Sequence, residues 1–153
     1  MSNSSLFKYE KADDSAGFLL WKITALWQKK LSEVLAKFGI TQTQYAILAS
    51  LQWFEEKREP TTQTHLVEHT KLDKMTLSKA IRRLEEDGFV AREDSSTDSR
   101  AINVNFTPRG RGLIQKAIVA IENTDEEFFA SLSKKQLEIF KSLTSAVIKA
   151  NGL

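Results

Sequence analysis

Residues 72–90 read LDKMTLSKAIRRLEEDGFV, and the reading of this stretch decides the fold. Asp73 is a favoured helix N-cap and Gly88 a favoured terminator, so the spacing predicts a helix between them. With Leu77 at zero and about 100° per residue, Ala80, Ile81 and Leu84 fall within roughly 60° of it. Those four side chains define an inward face. Met75, Lys79, Arg82 and Glu86 lie within about 40° of the opposite pole, and Thr76, Ser78 and Arg83 flank it. Charge is polarised along the same helix. Lys71, Lys74, Lys79, Arg82 and Arg83 oppose the single acid Asp73, five against one, or +4 over residues 71–83. Glu85, Glu86 and Asp87 close the other end.

Upstream, Thr41 and Gln44 form a capping box that opens a helix through Tyr45, Ile47, Leu48, Leu51 and Phe54, running out near Glu56. Pro60 imposes an extended residue before it, and Thr61 or Thr62 can cap a short helix, TQTHLVEH. A turn from His69 to Leu72 then leads into the 73–88 helix. Downstream, residues 89–94 and 101–106 have strand composition, the second alternating apolar and polar. The polar SSTDSR between them makes a hairpin. Short helix, tight turn, second helix and hairpin together make a winged helix-turn-helix, and the fold class is mostly α with a two-stranded β-hairpin wing.

Long helices flank this unit. From Ser15 to Phe38, apolar residues recur at helical spacing up to Gly39. Leu20, Trp21 and Trp27 lie off the main stripe, so this helix is expected to be buried on more than one side. Thr107-Pro108 is an N-cap with first-turn proline, and Ile114, Ala117, Ile118, Ile121, Phe128 and Leu132 follow it over some five turns. Ser133 and Gln136 form a second capping box, opening a last helix with Leu137, Phe140, Leu143, Val147 and Ile148.

A length of 153 residues suits one domain. The absence of cysteine removes disulfides, thiolate metal sites and thiol redox chemistry. No apolar run reaches membrane-span length, and MSNSSLFKYEKADDS lacks a signal-peptide core, so a cytoplasmic location without membrane association is expected. No GxSxG, phosphate-cradling glycine loop or HExxH occurs, and the acidic runs read as solvated helix surface, so no enzyme and no cofactor are expected. His65 and His69 stand at i, i+4 beside Glu68, a spacing that leaves a metal-responsive regulator as one alternative. A helical protein-interaction module built on a winged helix, without DNA binding, is another.

ITQTQYAILASL (40–51), LDKMTLSKAIRRLEEDGFV (72–90) and DSRAINVNFTPRGRG (98–112) resemble the MarR family of bacterial transcriptional regulators in order and spacing. The last piece holds the wing signature, Asp98-x-Arg100, a short strand, then Thr107-x-x-Gly110 opening a long helix. The resemblance implies a single MarR-like chain over 1–153. Residues 41–112 would be its DNA-binding region, and 15–38 and 113–151 its dimerisation helices. It further implies a homodimer on a pseudo-palindromic double-stranded operator, usually repressing, and often released by a small aromatic effector.

Chemistry then assigns roles. Lys79 and Arg82 can donate to guanine O6 and N7 in the major groove. Thr76 and Ser78 are short donors for base edges or phosphates, while Thr62, Lys74 and Arg83 would hold the backbone. The family usually has a small polar residue where this chain has Met75, for which a thymine methyl is a suitable partner. From Arg92 to Arg100 the wing has two basic and three acidic residues, net −1, where the family commonly has a basic loop. Asp98 either orients Arg100 toward the minor groove or a phosphate, or pairs with it merely to stiffen the hairpin. Trp21, Trp27, Tyr45 and Trp53 lie on helices that in the family help line the ligand pocket; core or dimer interface is the competing assignment.

Overall fold

A computed structural model describes residues 5–95 and 100–152. After a short 3-10 turn at Ala12–Asp14 come α1 (Ala16–Ala36), α2 (Gln42–Glu56), α3 (Gln63–Thr70) and α4 (Lys74–Glu86). The strands β1 (Val90–Asp94) and β2 (Ile102–Phe106) follow, then α5 (Pro108–Phe128) and α6 (Lys134–Ala150). Among the described residues no helix is long and apolar enough to cross a membrane.

Local chemistry sets the helix starts. Thr41 Oγ1 accepts from the Gln44 amide at 3.1 Å, and Gln44 Oε1 accepts from the Thr41 amide at 2.9 Å. Ser133 and Gln136 repeat this exchange at α6. Thr62, rather than Thr61, caps α3. That helix extends through Thr70, so the expected turn at 69–72 shrinks to Lys71–Asp73. Lys71 makes the turn in the left-handed region at φ 60°. Thr61 serves the wing instead, its carbonyl accepting from the Val104 amide at 2.8 Å, while Thr62 bridges antiparallel to Asn103.

The hairpin is antiparallel, with Val90 opposite Phe106 and Asp94 opposite Ile102. Both strands start one residue later than the sequence suggests. At its base a joint ties α4, the wing and α5 together. Gly88 turns the chain at φ 79°, and its carbonyl accepts from Thr107 Oγ1 at 2.6 Å. Thr107 Oγ1 in turn accepts from the Gly110 amide at 3.1 Å, capping α5. Gly110 passes so close beneath the wing that a Cβ there would sit 1.9 Å from the Phe89 carbonyl oxygen. The Thr-x-x-Gly signature is a close-approach joint.

Leu35, Ile47, Leu48, Leu66, Leu77, Ile81, Leu84, Val90, Val104 and Ile114 form the fully buried centre. Apart from Leu35 of α1, the core therefore belongs to α2–α4, the wing and one face of α5. The outer helices are different. α1 buries only Leu35 and α6 buries none of its residues within the chain. The expectation that α1 is covered on more than one side fails for the single chain, where Leu19, Leu20, Trp21 and Leu26 are exposed. α5 also ends before Leu132, because Phe129 leaves the helical path and meets Phe140, ring centroids 5.2 Å apart.

Candidate nucleic-acid interface

α4 is held by its ends and its inner face. Asp73 accepts from the Thr76 amide at 2.8 Å and from the Thr76 hydroxyl at 2.6 Å. Those bonds, the hydroxyl's first, hold the Asp73 carboxyl below the usual carboxylate range. Leu77, Ile81 and Leu84 are fully buried, and Ala80 packs partly buried against the same core. The opposite face is outward as the helical wheel requires. Lys74, Met75, Thr76, Lys79, Arg82 and Arg83 are exposed, Met75 to 83%.

Not all of these groups are equally available. The Thr76 hydroxyl proton is committed to Asp73, and half-buried Ser78 accepts from Gln63 Nε2 at 3.3 Å. Arg83 Nε donates to Asp87 at 3.3 Å. Lys74, Lys79 and Arg82 make no ion pair among the described residues. Thr62 uses its hydroxyl oxygen to accept from the His65 amide at the start of α3. His65 Nδ1 accepts from the Thr62 amide at 3.3 Å, and His69 Nδ1 shares a 2.8 Å hydrogen bond with Ser50. Both imidazoles lie against Phe54, at 6.0 and 5.1 Å.

In the wing, Arg92 is drawn back to the end of α4. Its guanidinium donates to Glu85 Oε1 through Nη2 at 3.0 Å and Nε at 3.3 Å, and its amide donates to Oε2 at 3.0 Å. The Arg92 side-chain bonds first, then its amide, hold the Glu85 carboxyl below the usual range. Glu85 therefore anchors β1, where the sequence suggested only solvated surface. The signal that could have found it is an opposite charge pair seven residues apart across the Gly88 turn. Asn105 Nδ2 donates to Glu93 at 2.9 Å across the strands. Asp98 lies outside the described residues; Arg100 is exposed at the turn entering β2.

The four aromatic residues nominated for a ligand do not meet. Trp21 is exposed on α1, lining a shallow surface groove with Gly17, Leu20 and Ala25. Trp27 packs edge-on to Phe128 at 5.3 Å, and Trp53 lies beneath the Lys57 ammonium at 4.7 Å. Tyr45 is half-buried; burial first, and the Glu122 carboxylate second, push its phenol up. Among the described residues no ring contact joins any two of them.

Capped helices, an outward cationic face and a hairpin jointed to the next helix define a winged helix-turn-helix. Sequence comparison agrees. The MarR family model matches residues 40–102. The chain is 33% identical over 129 residues to the uncharacterized HTH-type transcriptional regulator YdcH of Bacillus subtilis, covering 84% of this chain and 88% of that one. It is 27% identical to the HTH-type transcriptional repressor Rv2887 of Mycobacterium tuberculosis, covering 86% and 93%. The fold superposes on the Staphylococcus aureus MepR–DNA complex with a TM-score of 0.81 at 20% identity, covering 89% and 98%. The chain belongs to the MarR family.

Proposed function

We propose that the chain acts as a homodimeric repressor on a pseudo-palindromic operator, with one α4 entering each of two major grooves about one turn, roughly 34 Å, apart. The observation that carries this reading is the outward face of α4, where Lys74, Lys79 and Arg82 make no ion pair among the described residues. Lys79 and Arg82 address guanine edges, while Lys74, Arg83 and the α3 cap at Thr62 address phosphates. Thr76 supports the helix more than it reads DNA, since its hydroxyl proton is held by Asp73, while half-buried Ser78 keeps a proton to donate.

Dimerisation is supported by apolar surface that one chain leaves uncovered. Leu19, Leu20, Trp21 and Leu26 on α1 and Ile139, Leu143, Val147 and Ile148 on α6 are all exposed. A second copy is the cover that symmetric oligomers supply. Sedimentation at micromolar concentration showing only the 17.3 kDa species would sink this part. Repression draws support from the designation of the Rv2887 relative. Release by a small aromatic effector rests on the family resemblance, and its pocket would need the second protomer to complete it.

The test is direct. The full-length protein is used to select duplexes from a random library, and the winners are titrated at two salt concentrations. Affinity should fall steeply with salt, and Lys74→Ala should flatten that dependence by about one counterion for all sequences alike. Failure to enrich any duplex would favour the protein-interaction module instead.

A further inference from the structure

We propose that Met75 reads the C5-methyl group of a thymine, so that each half-site carries a thymine next to the bases addressed by Lys79 and Arg82. The inference rests on α4 being the recognition helix. Met75 is 83% exposed, yet it is the second residue of a 13-residue helix whose inward face is sealed by Leu77, Ile81 and Leu84. It stands about 160° around the helix from Leu77, so its thioether cannot fold back into that core.

The neighbours of Met75 narrow what it can do. The first half of α4 offers two hydroxyl-bearing residues, but Thr76 donates its proton to Asp73, and Ser78 is half-buried and turned toward Gln63. What remains outward in the N-terminal half is cationic apart from Met75. Lys74, Lys79 and Arg82 attract a phosphate backbone and donate to guanine acceptors, so this surface is complementary to a nucleic-acid groove and poorly suited to an apolar protein partner. Within a major groove, the thymine methyl is the apolar feature that base edges display. An unbranched, polarisable thioether can adapt to it without a tight steric match. Met75 thus adds a methyl reader to a face otherwise limited to hydrogen-bond donors.

The test uses the full-length protein and the library-selected duplex, with each thymine replaced in turn by deoxyuridine. That exchange removes one methyl and leaves the base-pairing edge intact. The wild-type protein should weaken about four-fold at one position per half-site, the value expected for one buried methyl-sized group. At that position Met75→Ala should bind thymine and uracil equally, and Met75→Leu should keep part of the discrimination. Thermal melts will report folding, which an exposed side chain should not disturb. The proposal is overturned if no thymine shows a uracil penalty, or if Met75→Ala keeps the same penalty at the same position. If selection yields no bound duplex at all, the recognition-helix reading falls first and this one with it.

Discussion

In α4 the cations at 74, 79 and 82 point outward without an ion pair among the described residues, whereas in the wing Arg92 is held by Glu85 and Glu93 takes a bond from Asn105. The two regions are adjacent and share one joint, but residues 71–83 carry +4 where residues 92–100 carry −1. They differ as well in where their charged groups are directed. The acids at the end of α4 do not simply repel a duplex; Glu85 and Asp87 restrain Arg92 and Arg83. Which cations are left uncommitted therefore matters as well as how many there are.

The joint beneath both regions gives the largest expected effect. At Gly110 an added Cβ would meet the Phe89 carbonyl oxygen at 1.9 Å, a backbone atom that cannot rotate away. Gly110→Ala should cost about 3 kcal/mol or more, and should loosen α4 and wing together. Chemical denaturation measures it. A variant that keeps its midpoint would show that α5 and the wing are less closely joined than the geometry requires.

Next in size are the uncommitted cations themselves. Arg82→Ala and Lys79→Ala should each weaken operator binding by about 1–3 kcal/mol and relax selectivity at one position. Competition titrations with single-base operator variants decide this. Equal weakening on all sequences would move both residues into the phosphate-holding group with Lys74, and the comparison would lose its contrast.

Arg92 should matter less. Its guanidinium and amide both serve Glu85, so Arg92→Ala should lower operator affinity by less than about 1 kcal/mol and leave the salt dependence unchanged. A phosphate contact would instead reduce the salt slope by about one. The same brace fixes a pH response. Glu85 is held below its ordinary range in the folded chain, so its contribution is present above the unfolded value and is lost as pH falls through the folded one. At neutral pH the brace is intact, and it should loosen only in acid. An NMR titration of the Glu85 carboxyl with a midpoint at or above the usual glutamate range would break this assignment.

What the sequence disclosed and what it hid divide by distance along the chain. Caps were legible because donor and acceptor lie three residues apart, as with Thr41 and Gln44, Ser133 and Gln136, or Thr107 and Gly110. The inward face of α4 was legible because Leu77, Ile81 and Leu84 follow one period. Contacts that need the fold were not. Arg111 pairs with Glu55, and Thr61 reaches Val104, without any periodic signature. Glu85 read as one more solvated acid until the Gly88 turn brought Arg92 to it. The outer helices were legible as helices from their apolar period. Nor could spacing show that Trp21, Trp27, Tyr45 and Trp53 take separate surroundings.

The smallest expected effect lies at the wing tip, and it tests the comparison most sharply. Residues 92–100 have two basic and three acidic side chains, so a wing of net −1 approaching phosphates gains little overall. Arg100→Ala should therefore cost less than Arg82→Ala. Asp98→Ala should act in two opposed ways: it loosens Arg100 where Asp98 orients it, and it removes a negative charge near DNA. The first weakens binding and the second strengthens it, so the net change should stay within a few tenths of a kcal/mol. The two contributions separate by ionic strength, because the charge term is screened while short-range orientation persists. Titrations at low and high salt should show Asp98→Ala binding tighter than wild type at the first and weaker at the second. Loss of binding in Arg100→Ala with Arg82→Ala intact would invert the ranking and make the wing the main reader.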